Sequence, residues 1–269
     1  MAARVAFFVV SIALLLINTY GGAKPISFSY SGATGPDKWG SLSPTCSQCS
    51  KGKSQSPINI VTNQAVLKDL KPLKRDYHPA NATLINNHFN IEMMFSENGG
   101  ELILDNKKYK FMQMHWHSPS EHHIDGIRYD AELHLVHAAD DGTLAVVSAL
   151  YKLGTADPLL AAIQRKLGEL AVKNSVINGA AEIGVGMFDL NLIKHDTPSH
   201  EYYRYHGSLT TPPCSETVIW NVLAKVRSIS KEQLEALRAP LNSECKHNAR
   251  PLQQLNGRRI ELYRGTSLE

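Results

Sequence analysis

Short strand-like segments separated by tight turns occupy residues 101–153, and this pattern constrains the fold more than any other feature of the chain. The turns are Asp105-Asn106, Asp125-Gly126 and residues 140–142, and they separate candidate strands at residues 101–104, 109–117, 129–137 and 144–153. Apolar and polar side chains alternate along residues 109–117, as expected when one face of a sheet is buried. Because turns this short join antiparallel neighbours, we predict a mainly β (α+β) fold built on a large, mostly antiparallel sheet.

Helices are predicted only at the periphery of this sheet. Asp157 and Pro158 are a typical N-cap and first residue for a helix whose leucines and isoleucine recur at helical spacing up to Leu170. Ser230 and Gln233 have the spacing of a capping box at the start of a second helix. No repeat or shift in composition divides the chain, so we expect a single domain over residues 24–269.

The N-terminus has the organisation of a secretory signal peptide. Arg4 precedes residues 5–17, which are apolar except for Ser11, and the small residues Gly21 and Ala23 suit a cleavage site. A membrane anchor is disfavoured, since a spanning helix needs about 20 apolar residues. We therefore expect residues 1–23 to be removed and the remaining chain to be secreted.

Secretion places the cysteines in an oxidising compartment, where disulfides form. Four cysteines allow three full pairings, which the residues alone leave open: Cys46, Cys49, Cys214 and Cys245. A lone CxxC is too little for a four-thiolate zinc site. Asn81 begins the glycosylation sequon Asn-Ala-Thr, which suits a surface loop of a secreted protein, with an unused sequon as the alternative.

A cluster of histidines lies on two of the predicted strands. Side chains two apart on a strand share a face. One strand should therefore present Met112, Met114 and Trp116 on one side, and on the other side Phe111, Gln113, His115 and His117. The next strand has a similar polar face, made of Glu132, His134 and Val136. An antiparallel hairpin of the two strands brings His134 opposite His115 and His117.

Three neutral imidazoles with a fourth position open to water form the ligand set of a catalytic zinc ion. Gln113 and Glu132 lie on the same faces and can accept hydrogen bonds from the outer N–H groups of the ligands. Three buried histidines with ordinary hydrogen bonds are the alternative, but each of these has an in-phase polar neighbour on an otherwise apolar strand. The sequence therefore favours a zinc site at His115, His117 and His134.

Four motifs occurring together give the chain a specific family resemblance: SQSPINI at 54–60, QMHWHSPSEHH at 113–123, AELHLVH at 131–137 and GSLTTPPC at 207–214. Over residues 30–263 the chain resembles the alpha-class carbonic anhydrases, most closely their secreted plant and bacterial members. The resemblance implies a large twisted, mostly antiparallel sheet with peripheral helices and a zinc site at its middle. It also implies a zinc lyase (carbonate dehydratase) that reversibly hydrates carbon dioxide to bicarbonate by means of a zinc-bound hydroxide.

The resemblance also implies roles for individual residues. The zinc ligands match His115, His117 and His134, and their hydrogen-bond partners match Gln113, Glu132 and the backbone carbonyl of Asn248. Thr210 matches the threonine that orients the zinc-bound oxygen, and Glu121 matches the glutamate that holds its hydroxyl. The substrate pocket matches Val136, Val146, Leu209, Thr211, Val218 and Trp220. The family's disulfide matches Cys49 and Cys214, which leaves Cys46 and Cys245 to pair or stay free.

One segment departs from the family pattern. The family's proton shuttle is a histidine in a pattern similar to NNGHxxNV, whereas residues 86–91 read NNHFNI and are one residue shorter. Aligned from the left, His88 is the shuttle; aligned from Ile91, the shuttle position falls on Phe89. A histidine suits this role because its pKa near 6.5 lets it relay protons at neutral pH.

Two functions from different classes remain under consideration. The first is a zinc-dependent carbonic anhydrase, secreted or placed in the lumen of a plant-type organelle. The alternative is a catalytically weak or silent storage or binding protein, although silent relatives of the family have lost a ligand histidine and this chain keeps all three. A net charge of +3 at pH 7 does not favour nucleic acid or a membrane surface, so the expected partners are carbon dioxide and bicarbonate.

Overall fold

The structure, a computed structural model, describes residues 26–96, 99–176, 181–193 and 201–265. The predicted signal peptide at residues 1–23 lies outside the described residues. Within the described ranges, no helix is both long enough and apolar enough to cross a membrane.

Sixteen strands occur in the described ranges. The first eight are β1 (Asn59–Ile60), β2 (Val66–Leu67), β3 (Lys74–Tyr77), β4 (Ala80–Asn86), β5 (Ile91–Phe95), β6 (Gly100–Leu104), β7 (Lys107–His117) and β8 (His123–Ile124). The others are β9 (Ile127–Arg128), β10 (Ala131–Ala138), β11 (Leu144–Leu153), β12 (Ala181–Phe188), β13 (Glu201–Gly207), β14 (Val218–Leu223), β15 (Arg227–Ile229) and β16 (Glu261–Arg264). The α-helices of these ranges are α1 (Gln48–Lys51), α2 (Pro158–Val176) and α3 (Lys231–Arg238).

The described strands form one 13-stranded sheet and a small sheet of β1, β8 and β9. The long path through the large sheet runs β12-β4-β5-β7-β10-β11-β14-β13-β16-β2, with β6 also beside β7, β3 beside β6 and β15 beside β11. Its described pairings are antiparallel except those of β11 with β14 and β15 and of β16 with β2. The prediction of a large twisted, mostly antiparallel sheet with peripheral helices is confirmed.

The predicted hairpin turns form where Asp, Asn and Gly permit a left-handed backbone. Asp105 and Asn106 have φ angles of 48° and 66° and join β6 to β7. Asp125 and Gly126 have φ angles of 50° and 78° and join β8 to β9. The strand expected at 129–137 begins two residues later, as β10, because residues 127–128 pair in the small sheet instead.

A β-bulge in β7 changes the face on which its side chains lie. Gln113 and Phe111 pair with consecutive residues of β10, so Met112 is an extra residue between them. Phe111 packs in the same core cluster as Trp116, whereas Met112 packs on the opposite face of the sheet. The prediction that Phe111 shares a face with Gln113 is therefore wrong, because the alternation shifts by one residue at the bulge. From Gln113 to His117 the predicted alternation holds.

Both predicted helices are present, and they cover one face of the large sheet. Asp157 Oδ1 accepts a hydrogen bond from Leu160 N at 3.1 Å at the start of α2, and Ser230 and Gln233 form the capping box of α3. The buried leucines of α2 and α3 pack with the core side of β4, β5 and β7. The opposite face of the same central strands carries the candidate functional site.

A disulfide ties the irregular N-terminal segment to the rest of the fold. Cys49 of α1 is bonded to Cys214, 165 residues further along the chain. Cys46 and Cys245 are buried and free. The pairing expected from the family resemblance is confirmed, and the other two cysteines do not pair.

Candidate metal centre

Three histidines meet on one face of the large sheet, near its middle. His115 and His117 lie in β7, and His134 lies opposite His115 in the adjacent strand β10. Their ring centroids are 5.1, 5.1 and 4.7 Å apart. One nitrogen from each ring lies within 4.8 Å of the other two, close enough for the three to share one metal ion. Because β7 and β10 are both paired on each side, the sheet holds the three rings in place.

Hydrogen bonds to the outer nitrogens of two rings leave their inner nitrogens as acceptors. His117 Nδ1 lies 2.6 Å from the carbonyl oxygen of Asn248, and His134 Nε2 lies 2.8 Å from Glu132 Oε1. Carbonyl and carboxylate oxygens only accept, so both outer nitrogens carry the proton. His117 Nε2 and His134 Nδ1 therefore present lone pairs to the centre of the cluster.

His115 completes the set. Its Nδ1 donates to Gln113 Oε1 at 2.8 Å, and its Nε2 lies 3.2 Å from His134 Nδ1. Two lone pairs thus face each other, and His117 Nε2 is buried without a hydrogen-bond partner. A cation among the three nitrogens would satisfy all of them. The residues present therefore fit the neutral, all-nitrogen ligand set of a catalytic zinc ion.

Burial keeps the three imidazoles neutral, which is the state in which they can bind a metal. Desolvation lowers the pKa of His117 to about 4. It holds the pKa of His115 well below its usual range, and repulsion from His134 and His117 adds to the effect. Burial also lowers the pKa of His134, although the nearby Glu132 carboxylate opposes this.

The carboxylate of Glu132 accepts five hydrogen bonds behind the site. Its Oε1 accepts from His134 Nε2, from His122 Nδ1 at 2.7 Å and from Ser148 Oγ at 2.6 Å. Its Oε2 accepts from the main-chain N–H groups of Glu121 and His122, each at 2.8 Å. Burial favours protonation, but His122 and His134 hold the pKa of Glu132 well below its usual range. Glu132, His122 and His134 also lie close enough to share a metal, but their facing atoms are already hydrogen-bonded to one another.

Glu121 lies beside His117 and close to Thr210. Its Oε1 accepts from Arg250 N at 2.9 Å, and its Oε2 is buried without a hydrogen-bond partner, 3.6 Å from His117 Nε2. Burial raises the pKa of Glu121 to about 7, and the nearby Thr210 hydroxyl is among the groups that oppose this. A metal cation held among the three histidines would favour the ionised form of the Glu121 carboxylate. The structure therefore brings Glu121 and Thr210 to the histidine cluster.

An open cavity of about 560 Å³, its mouth included, leads to the cluster. Its apolar lining consists of Phe89, Val136, Val146, Leu209 and Trp220. Its polar lining consists of Asn90, Glu92, Gln113, His115, His134, Thr210 and Thr211. All the predicted substrate-pocket residues line it except Val218, which is buried in the apolar cluster behind the wall.

His88 does not line this cavity, whereas its neighbour Phe89 does. His88 is exposed and has a left-handed backbone, with φ 79°. The Phe89 ring packs against Phe28, with ring centroids 4.7 Å apart. This arrangement corresponds to the alignment from Ile91, in which Phe89 takes the shuttle position.

Glu92 is a cavity residue that the sequence analysis missed. It lies in β5 directly opposite His115, and its Oε2 accepts from Gln113 Nε2 at 3.2 Å. Burial raises the pKa of Glu92 to about 7, while a hydrogen bond from Asn87 lowers it. The sequence signal that could have indicated it is the alternation of Asn90 and Glu92 with the apolar residues Ile91 and Met93, which is typical of a strand with one polar face.

The predicted glycosylation residue lies on a strand rather than in a loop. Asn81 is the second residue of β4, and its side chain is exposed. Exposure leaves the side chain accessible to modification, so glycosylation stays a prediction, although the expected loop is wrong.

Comparisons with known proteins identify relatives along most of the chain. A family model described as eukaryotic-type carbonic anhydrase matches residues 34–264. Alpha carbonic anhydrase 7 of Arabidopsis thaliana is 42% identical over 231 residues, which cover 86% of this chain and 82% of that protein.

Two solved structures share the fold. A crystal structure of dioscorin complexed with ascorbate has a TM-score of 0.84 and 35% identity, and covers 90% of this chain and 99% of its own. The alpha-carbonic anhydrase of Thermovibrio ammonificans, in complex with the inhibitor sulfanilamide, has a TM-score of 0.78 and 34% identity, and covers 88% of this chain and 100% of its own.

Proposed function

Because the chain belongs to the alpha carbonic anhydrase family, we propose that it catalyses the reversible hydration of carbon dioxide to bicarbonate and a proton. The observation that carries the proposal is the convergence of three acceptor nitrogens, from His115, His117 and His134, beside a cavity with an apolar lining. These residues would hold zinc. Bound zinc supplies the Lewis acidity that makes water nucleophilic near neutral pH.

The apolar part of the cavity is the proposed site for carbon dioxide. The substrate is small and apolar, and Val136, Val146, Leu209 and Trp220 offer it a surface that makes no competing hydrogen bond. These side chains also exclude ordered water from the position that the substrate must take. Bicarbonate, which is charged, is held poorly by the same surface and leaves.

Thr210 and Glu121 are proposed to orient the attacking oxygen. Glu121 accepts the proton of the Thr210 hydroxyl, so Thr210 Oγ1 can only accept a hydrogen bond from its other neighbour. An attacking oxygen that donates to Thr210 turns a lone pair toward the substrate carbon. An anion without a proton to donate cannot make this bond and is disfavoured.

Each hydration releases a proton that must leave the cavity. His88 is exposed and absent from the cavity lining, and Phe89, which lines it, has no group that can carry a proton. We therefore propose that external buffer molecules, entering the open cavity, accept the proton.

A second candidate function is supported by the likeness to dioscorin. In that case the chain would be a catalytically weak or silent storage or binding protein. The complete set of three neutral histidines, each with its own hydrogen-bond partner, favours the enzyme.

Metal analysis combined with stopped-flow hydration of carbon dioxide tests the proposal. We expect one zinc ion per chain, loss of hydration on chelation and recovery on adding zinc. His134→Ala should abolish both zinc binding and hydration. The matched control His78→Ala, which alters an exposed histidine, should change neither of them. Folded wild-type protein that binds no zinc would overturn the proposal. Zinc binding without hydration would support the silent alternative.

We also propose that the chain enters the secretory pathway and loses residues 1–23. The Cys49–Cys214 disulfide supports this, since such bonds persist in oxidising compartments. N-terminal sequencing of secreted protein should begin at Lys24. Retention of residues 1–23 in the mature protein would contradict the proposal.

A further inference from the structure

One of the three histidines has a tautomer that its direct partner does not determine. His117 and His134 donate to a carbonyl and a carboxylate, which can only accept. His115 instead faces the side-chain amide of Gln113, which can present either an oxygen or an NH₂ group. With the amide reversed, His115 would carry its proton on Nε2 and could not bind a metal through that atom.

The reversed state has a hydrogen bond of its own in its favour. His115 Nε2 lies 3.2 Å from His134 Nδ1, which is an acceptor. A proton on His115 Nε2 would therefore be donated to His134. Some other group must hold the Gln113 amide in the orientation that zinc binding requires.

Glu92 is placed to do this. The residue is 3% exposed, and its Oε2 lies 3.2 Å from Gln113 Nε2. An acceptor at this position attracts the amide NH₂ and turns Gln113 Oε1 toward His115. Since Glu92 lies opposite His115 in the pairing of β5 with β7, the sheet fixes the distance between them.

Glu92 is itself held from the other side. Asn90 N donates to Asn87 Oδ1 at 2.9 Å, and a main-chain N–H can only donate. The Asn87 amide therefore directs its Nδ2 away from Asn90 and toward Glu92 Oε2, at 3.3 Å. The backbone N–H of Asn90 thus fixes the orientation of the Asn87 amide, which donates to Glu92 Oε2, and the same oxygen faces Gln113 Nε2 on its other side.

We propose that Glu92 is a positioning residue of the metal centre: held between Asn87 and Gln113, it orients the Gln113 amide and so fixes the His115 tautomer whose Nε2 can bind zinc. This inference deepens the proposed function and depends on it for the identity of the metal. It assigns Glu92 a role as a hydrogen-bond acceptor, which differs from a role as a negative charge and from a role in packing.

Three variants separate these roles. Glu92→Leu removes the acceptor but keeps an apolar side chain in place. Glu92→Gln removes the charge but keeps a carbonyl oxygen that both neighbouring amides can use. The matched control is Glu182→Leu. Glu182 is an exposed carboxylate of β12 that pairs with Ile85 of β4, and Ile85 in turn pairs with Glu92.

Two measurements on the full secreted chain decide between them. Two-bond ¹⁵N–¹H correlation spectra of zinc-free protein report which nitrogen of His115 carries the proton. Competition with a chelator gives the zinc dissociation constant. Neither readout depends on the activity of the loaded enzyme.

We expect protonated Nδ1 on His115 in wild type, E92Q and E182L, and protonated Nε2 in E92L. The zinc dissociation constant of E92L should rise about tenfold, the lower end of the range for losing a hydrogen-bond partner of a metal ligand. An unchanged tautomer in E92L would overturn the proposal, as would an E92Q variant as impaired as E92L. If E92L does not fold, the smaller apolar variant E92V takes its place with the same two outcomes, and a switched tautomer in E92Q refutes the proposal in either case. Wild-type protein that shows the expected tautomer but binds no zinc would refute the proposed function and leave the tautomer comparison to decide this inference.

Discussion

Removing the Cys49–Cys214 disulfide should lower the free energy of unfolding by up to about 5 kcal/mol. The variant is C49A/C214A. The bond closes a loop of 165 residues. The chain-entropy relation for a loop of that length gives about 5 kcal/mol at 25 °C, and measured values often fall below it. The effect acts through the unfolded chain, which becomes less compact without the bond.

Catalysis should survive this change better than stability does. The loop that carries Thr210 has anchors besides the disulfide. Leu209 N donates to Ser215 O at 3.0 Å, and Gln55 Nε2 donates to Cys214 O at 3.0 Å. Under conditions where C49A/C214A is folded, we therefore expect the activation free energy of hydration to rise by less than the free energy of unfolding falls.

Urea unfolding of the two proteins measures the change, with C46A/C245A as the control. That variant also removes two buried sulfur atoms, but it opens no loop. The dependence on urea should steepen in C49A/C214A, because its unfolded state exposes more surface. Equal destabilisation of the control would show that packing, not loop closure, produces the effect, and would refute the reasoning.

Four further predictions concern single groups. T210A and E121Q should each slow hydration, and the double variant should be little slower than the worse single one, because residues that act as a unit give non-additive losses; multiplied losses would show independent roles. His88→Ala should hydrate carbon dioxide as fast as wild type at every imidazole concentration, while both rates rise with imidazole; a large loss rescued by imidazole would make His88 the shuttle. Burial lowers the pKa of His137 to about 3 from 6.5. Between these two pH values the unfolded chain binds a proton that the folded chain does not bind, so the free energy of unfolding falls as the pH falls from 6.5 toward 3. His137→Phe should flatten that fall by up to about 1.4 kcal/mol per pH unit in urea titrations between pH 7 and 4.5, and an unchanged slope would contradict the assignment. Asn81→Gln should remove a glycosidase-sensitive mass from the secreted chain, and an unmodified wild-type chain would refute that prediction.

Local rules predicted the elements whose structure depends on neighbouring residues. The caps at Asp157 and Ser230 depend on side chains within three positions of the helix start, and both form. The alternation from Gln113 to His117 depends only on a regular strand, and it places His115 and His117 on one face. The family resemblance then added what alternation could not, namely Asn248, Thr210 and the pairing of Cys49.

Features that depend on distant partners were not accessible to the same rules. The bulge at Met112 arises because consecutive residues of β10 pair with Gln113 and Phe111 and leave Met112 unpaired, and nothing in the local sequence indicates it. The parallel pairing of β11 with β14 joins segments far apart in the chain. Glu92 was missed because its role follows from the pairing of β5 with β7, which brings it to Gln113.

The convergence of three lone pairs also bears on how a lineage with this fold can change. Acceptors held face to face without a cation oppose folding, so His115, His117 and His134 together reduce the stability of the zinc-free chain. Replacing one of them with an apolar residue of similar size relieves that repulsion, an instance of the trade between activity and stability. Drift toward a metal-free, non-catalytic protein therefore needs only one substitution, and the relief of that repulsion offsets part of the cost of the outer hydrogen bond that the lost ring made.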